Sequence, residues 1–166
     1  MRNSPPNYNG WRPHVSLGKD APDRRPIDRF GDIAQDCMGD GCVIVGPNNE
    51  IRAIGYNSFP KGIDNDNEAR HQRPAKYSWT EHSERNAIYA AARAGIALEH
   101  CRMYVPWFPC MDCARAVVQS GISELIAWMP DHSDERWGED FKTAQALFNE
   151  AGVRVRFLEG AQSRSK

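Results

Sequence analysis

Two short motifs constrain this 166-residue chain more than anything else in it: His82-Ser83-Glu84 and Pro109-Cys110-Met111-Asp112-Cys113. Each opens a stretch that reads as a helix. The first is expected from about Glu81 to Ala94, with Thr80 as N-cap and Gly95 as its stop. The second is expected from Cys110 to Gln119, directly after Pro109, with Gly121 beyond its end. A strand, Arg102 to Val105, lies between them. A fold that uses both motifs together must bring two helix starts to one place.

The rest of the chain supplies the frame for that convergence. Ile27 to Cys37 reads as a short helix. Cys42 to Val45 and Ile51 to Tyr56 read as strands, and Gly46-Pro47-Asn48-Asn49 between them makes a hairpin turn. Residues 58–79 are polar and form a long connection, of a kind usually functional or mobile. Leu125 to Trp128 reads as a buried strand, Trp137 to Glu150 as a helix closed by Gly152, and Val153 to Phe157 as a last strand. Helices alternate with strands, which predicts an α/β domain. Its first strand pair is expected to be antiparallel and its later strands parallel.

Composition bounds the function. One domain over about 25–160 accommodates the elements, preceded by a Pro-, Asn- and Arg-rich arm over 1–24 that reads as disordered or loosely docked. A formal net charge of −1 argues against a strong field for nucleic acid or an anionic membrane. No apolar run approaches the roughly 20 residues of a membrane helix. The N-terminal stretch lacks the apolar core of a signal peptide, so a cytoplasmic protein is expected. Five cysteines, an odd number, argue against a disulfide framework and leave metal binding or burial. Cys37 and Cys42 read as buried thiols.

The chemistry follows from the donor types. One imidazole, His82, and two thiolates, Cys110 and Cys113, make three zinc ligands and leave the fourth tetrahedral position open for water. A helix start lowers a thiol's pKa and favours the metal-binding form. Glu84 is placed to move protons as a general acid/base. Trp107, beside the ligand segment, is the tryptophan best placed to wall a base pocket. Asn86 reads as a structural hydrogen-bonding residue. The pairing of H-x-E with P-C-x-x-C is the pattern of zinc deaminases.

Longer segments carry a more specific resemblance. His82-Ser83-Glu84-Arg85-Asn86-Ala87-Ile88, Phe108-Pro109-Cys110-Met111-Asp112-Cys113-Ala114 and Gln119-Ser120-Gly121-Ile122 resemble the corresponding stretches of the deoxycytidylate (dCMP) deaminases. So do Gly55-Tyr56-Asn57 with Phe59-Pro60 and Gly62, and Leu147 to Val153. The resemblance implies the three-layer cytidine-deaminase-like fold, a central mixed five-stranded sheet flanked by helices. It implies one catalytic zinc per chain, dCMP as substrate, and a homo-oligomer; some members are regulated by dCTP and dTTP. By position, Asn57 would hydrogen-bond the sugar or pyrimidine, the Ser83 backbone would meet the ring carbonyl, and Phe108 would pack on the sugar.

Some positions depart from the family pattern. Ser83 stands where Ala is usual, Ser58 where the loop motif has Gly, and Pro106-Trp107 where small or aliphatic residues are common. Pro130 to Glu135 is acidic on what would be the phosphate side, and acid beside phosphate costs binding. Basic candidates for a phosphate lie in the long connection, Lys61, Arg70, His71, Arg73 and Lys76, interspersed with Asp64, Asp66 and Glu68. Three other readings stay open: a deaminase of another aminated ring, a nucleic-acid editor, and a zinc-stabilised module without catalysis. The low net charge counts against the editor, which needs a basic channel.

Overall fold

The computed structural model describes residues 41–158. The arm over 1–24 and the expected helix Ile27 to Cys37 lie outside the described residues. Strands β1 (Gly41–Val45) and β2 (Ile51–Tyr56) form the expected antiparallel hairpin. Its turn closes by Gly46 N–H to Glu50 O at 2.8 Å, with Asn49 in the left-handed region at φ 66°. Strands β3 (Arg102–Tyr104), β4 (Glu124–Ala127) and β5 (Arg154–Phe157) complete one five-stranded sheet in the order β2-β1-β3-β4-β5. β1 is antiparallel to β2 and β3, while β3, β4 and β5 run parallel. The sheet is therefore mixed, and β2 through β5, apart from β1, all point the same way.

Helices supply the parallel crossovers. After a 3-10 turn at Glu68–Arg70 come α1 (Lys76–Trp79), α2 (Ser83–Ala94), α3 (Met111–Gln119) and α4 (Gly138–Ala151). Ala87 and Ala91 of α2, Ala114 and Val117 of α3, and Phe141, Ala144 and Phe148 of α4 join one buried cluster with Cys42, Ile44, Met103 and Leu125 of the sheet. The three longer described helices share this face of the sheet. On the other face Val43, Val45, Tyr104 and Ile126 are also fully buried. Among the described residues, no helix is long and apolar enough to cross a membrane.

Two boundaries differ from expectation, and both move the site. Thr80 does not cap α2; its N–H closes the short α1 onto Lys76 O. Glu81 instead pairs with Ser58 in an antiparallel bridge, N–H to O in both directions at 2.8 and 3.2 Å. That bridge keeps the chain extended through His82, which takes the cap position, and α2 begins at Ser83. Likewise Cys110 caps α3 instead of lying inside it. The long connection is not structureless, since it carries the 3-10 turn and α1.

Gly55 sets how closely α2 lies on the sheet. A Cβ there would stand 2.1 Å from Ser83 O and 2.5 Å from Ala87 N. Only glycine lets the helix backbone rest directly on β2.

Candidate active site

The ends of β2, β3 and β4 open on one edge of the sheet, and the two motifs meet there. His82 and Cys110 occupy the cap positions of α2 and α3. His82 Nδ1 lies 3.5 Å from Cys110 Sγ and 3.5 Å from Cys113 Sγ. Among the described residues these three donors form a set whose ligand atoms all lie within 4.8 Å of one another. Neither Cys101 nor Glu84 belongs to it. One nitrogen and two sulfurs, with no fourth donor in the set among the described residues, fit a catalytic zinc with an open position.

The protonation of the thiols agrees with that fit. Cys113 donates to Cys110, and with His82 this holds the Cys110 thiol down to about 4 despite partial burial. Cys113, as the donor in that pair and largely buried, is pushed up. The contact with Cys110 raises His82 above its usual range.

Glu84 is only 7% exposed. Burial raises its carboxyl above the usual range, against smaller opposing effects from its backbone hydrogen bond, His82 and Ser83. Ser83 Oγ donates to Glu84 Oε2 at 3.1 Å. Ser83 N–H donates to Asn57 Oδ1 at 2.9 Å, joining the end of β2 to the start of α2. Asn86 reinforces the joint: its Nδ2 donates to Tyr56 O at 2.8 Å and Ser58 Oγ at 3.1 Å, the structural role expected for it.

A cavity of about 370 Å³ opens beside this group. Asn57, Ser83, Glu84, Trp107, Phe108, His82 and Cys110, all singled out from sequence, line it. Their places in it differ. Trp107 is 47% exposed and stands at the rim, whereas Phe108 is 3% exposed and belongs to the floor. Phe108 meets Phe141 and Phe148 edge-on, each at 5.9 Å between ring centroids.

The basic residues of the long connection separate into two groups. Arg73 and Lys76 line the cavity. Arg70 instead lies over Trp79 at 4.1 Å, and His71 stacks on Phe59 at 4.7 Å. Lys61 is not part of the cavity wall either. The acidic stretch after β4 also differs from expectation. Asp131 accepts Ser133 N–H at 2.8 Å, and Asp134, although it lines the cavity, accepts Arg136 N–H at 2.9 Å and Trp137 N–H at 2.7 Å. These carboxylates shape the turn into α4, and the turn delivers Arg136 to the cavity. Arg136 lies 3.8 Å over the Tyr77 ring and 4.9 Å from the Trp137 ring. Sequence reasoning stopped one residue short of Arg136 and did not single out Tyr77. An arginine directly after an acidic run was the available signal.

Comparison with known proteins adds three findings. A family model described as the cytidine and deoxycytidylate deaminase zinc-binding region matches residues 34–129. An uncharacterized deaminase from the luxG 3′ region of Aliivibrio fischeri is 36% identical over 118 residues, covering 69% of this chain and 76% of that relative. The deoxycytidylate deaminase of Homo sapiens is 36% identical over 121 residues, covering 70% of this chain and 65% of the human protein. Among solved structures, apo dCMP deaminase from the cyanophage S-TIM5 superposes with a TM-score of 0.61 at 19% identity, over 81% of this chain and 100% of that one, which speaks for a shared fold.

Proposed function

The chain belongs to the cytidine and deoxycytidylate deaminase family, and from that premise we propose that it hydrolyses the exocyclic amino group of 2′-deoxycytidine 5′-monophosphate, giving dUMP and ammonia. One observation carries the reading. The three-donor array and the buried carboxyl of Glu84 open together on a single cavity whose wall also holds Arg73, Lys76 and Arg136. Two similar proteins, from human and mouse, carry the name deoxycytidylate deaminase. A related phage enzyme has been solved in complex with dCMP and dUMP.

His82, through Nδ1, and the sulfurs of Cys110 and Cys113 would hold the zinc. Zinc in this array supplies the Lewis acidity that makes water a competent nucleophile near neutral pH. Glu84 does the proton work. Its carboxylate takes one proton from the attacking water and delivers it to ring N3, then carries the second to the departing amino group. Water adds its oxygen to C4 and the nitrogen leaves as ammonia, so atoms and charge balance. The burial that raises Glu84 suits a group that must both hold and release a proton. The Ser83 N–H, expected to meet the ring carbonyl, donates instead to Asn57 Oδ1; Asn57 borders the pyrimidine side, Phe108 underlies it, and Trp107 covers it at the rim. Arg73, Lys76 and Arg136 take the phosphate, Arg136 with its guanidinium held over the Tyr77 ring.

Two broader features accompany this reading. The exposed Ile51, Ile54 and Tyr56 on the edge strand β2 support assembly with further copies of the chain. The described cysteines are all free, in keeping with the reducing cytoplasm.

The test is a substrate panel. Zinc-loaded protein is given dCMP, CMP, deoxycytidine, cytosine and guanine, and ammonia is measured. The expected order places dCMP first. Preference for an uncharged ring would replace dCMP with the alternative substrate class.

A further inference from the structure

Arg85 follows Glu84 in the first turn of α2, and its guanidinium touches both ligand-bearing segments. Nη2 lies 2.5 Å from Glu81 Oε1, and the same oxygen accepts the His82 N–H at 3.2 Å. Nη1 lies 3.6 Å from Asp112 Oδ2, and Asp112 stands in sequence between Cys110 and Cys113. The third donor, Nε, is buried and has no hydrogen-bond partner. A buried unpaired donor is costly to keep, so its place calls for a reason beyond the two carboxylates. Burial would lower the Arg85 guanidinium, yet it is held above its usual range by Glu81, Cys113, Asp112 and Cys110, which places both sulfurs in its field.

The reason lies in what the two carboxylates are joined to: Glu81 Oε1 also accepts the His82 N–H, and Asp112 stands between the two cysteines, so the guanidinium ties the start of the His82 helix to the cysteine turn. Arginine keeps its charge at every working pH, so the tie persists throughout.

We infer that Arg85 is a positioning residue for the metal array: anchored by Glu81 on the His82 side and Asp112 on the cysteine side, it keeps the two sulfurs facing His82 and slows the loss of zinc. This rests on the zinc reading above. Groups that support metal ligands from behind typically change metal affinity about 10–100-fold when removed.

The experiment follows zinc transfer from the loaded full chain to a chromophoric chelator. Arg85→Gln should release zinc about 10–100-fold faster than wild type. Arg85→Lys, which keeps the charge without the fork, should fall between. Asp112→Asn should lose part of the effect, and the double variant should release no faster than Arg85→Gln, because both act through one contact. The metal-free Arg85→Gln chain should melt with metal-free wild type. Wild-type release from the Gln variant would overturn the inference, and so would an equal loss of thermal stability without metal, which marks a purely structural role. Should the Gln variant not fold, the Lys variant decides alone: unchanged release overturns the inference. Release is read without substrate, so it stands or falls separately from turnover of dCMP.

Discussion

The Ser83 N–H donates to Asn57 Oδ1 at 2.9 Å, so the strand end that borders the cavity also fixes the first turn of the helix that carries Glu84. One amide side chain therefore positions two things, the cavity wall and the carboxyl of Glu84. Replacing Asn57 by Ala removes both. Turnover of dCMP should fall at least 10-fold, since misplacing a group by about 1 Å can cost 10²-fold. Zinc content should stay at one per chain. Asn57→Asp restores the acceptor and should recover part of kcat but not KM. Steady-state kinetics with zinc analysis reads both.

Glu84→Gln keeps shape and burial while removing the proton carrier. The expected loss in kcat is about 10²–10⁴-fold, the usual contribution of a general acid/base. Zinc should be retained, because Glu84 is not among the three clustered donors. Wild-type turnover in this variant would sink the proposed proton route.

How far these residues were legible from sequence depends on the kind of interaction. The grouping of His82, Cys110 and Cys113 was legible because metal chemistry restricts residue types at fixed spacing, and Glu84 lies beside them as its spacing from His82 implied. The strand directions were legible because parallel neighbours need crossovers; the order β2-β1-β3-β4-β5 was not, because it depends on long-range pairing. The start of α2 was not, because the Ser58–Glu81 bridge that holds Thr80, Glu81 and His82 out of the helix is a long-range pairing. Arg136 was not, because its place depends on Asp134 accepting the N–H groups of Arg136 and Trp137 and on Tyr77 arriving from α1. The acidic run reads as repulsive until those carboxylates are seen to be committed to a turn.

Arg136 thus provides the sharpest test of the phosphate. Arg136→Ala should raise KM for dCMP about tenfold or more while leaving deoxycytidine nearly unaffected, since a charged hydrogen bond is worth about 1.5–3 kcal/mol. Equal losses on both substrates would assign Arg136 to the fold instead.

Removing zinc separates a catalyst from a metal-stabilised module. The core formed by Ile44, Met103, Leu125, Phe141 and Phe148 lies within the sheet–helix layer, and none of the three clustered donors belongs to it. Chelation should therefore abolish ammonia release while far-UV circular dichroism stays native, and one equivalent of zinc should restore activity. Unfolding on chelation would favour the module.

Gly55 ties the fold to the chemistry. A methyl group at this position would meet Ser83 O at 2.1 Å and Ala87 N at 2.5 Å, both backbone atoms that no rotamer change can move. Gly55→Ala must therefore lift the start of α2 from β2. Overpacking of this kind costs about 1–3 kcal/mol, visible as a lower melting temperature. The same shift carries Ser83 and Glu84 away from Asn57. Activity should then fall further than the stability loss alone accounts for, measured at a temperature where the variant remains folded. A variant that loses stability but keeps wild-type kcat would show that the contact between α2 and β2 serves the fold without setting the geometry of the site.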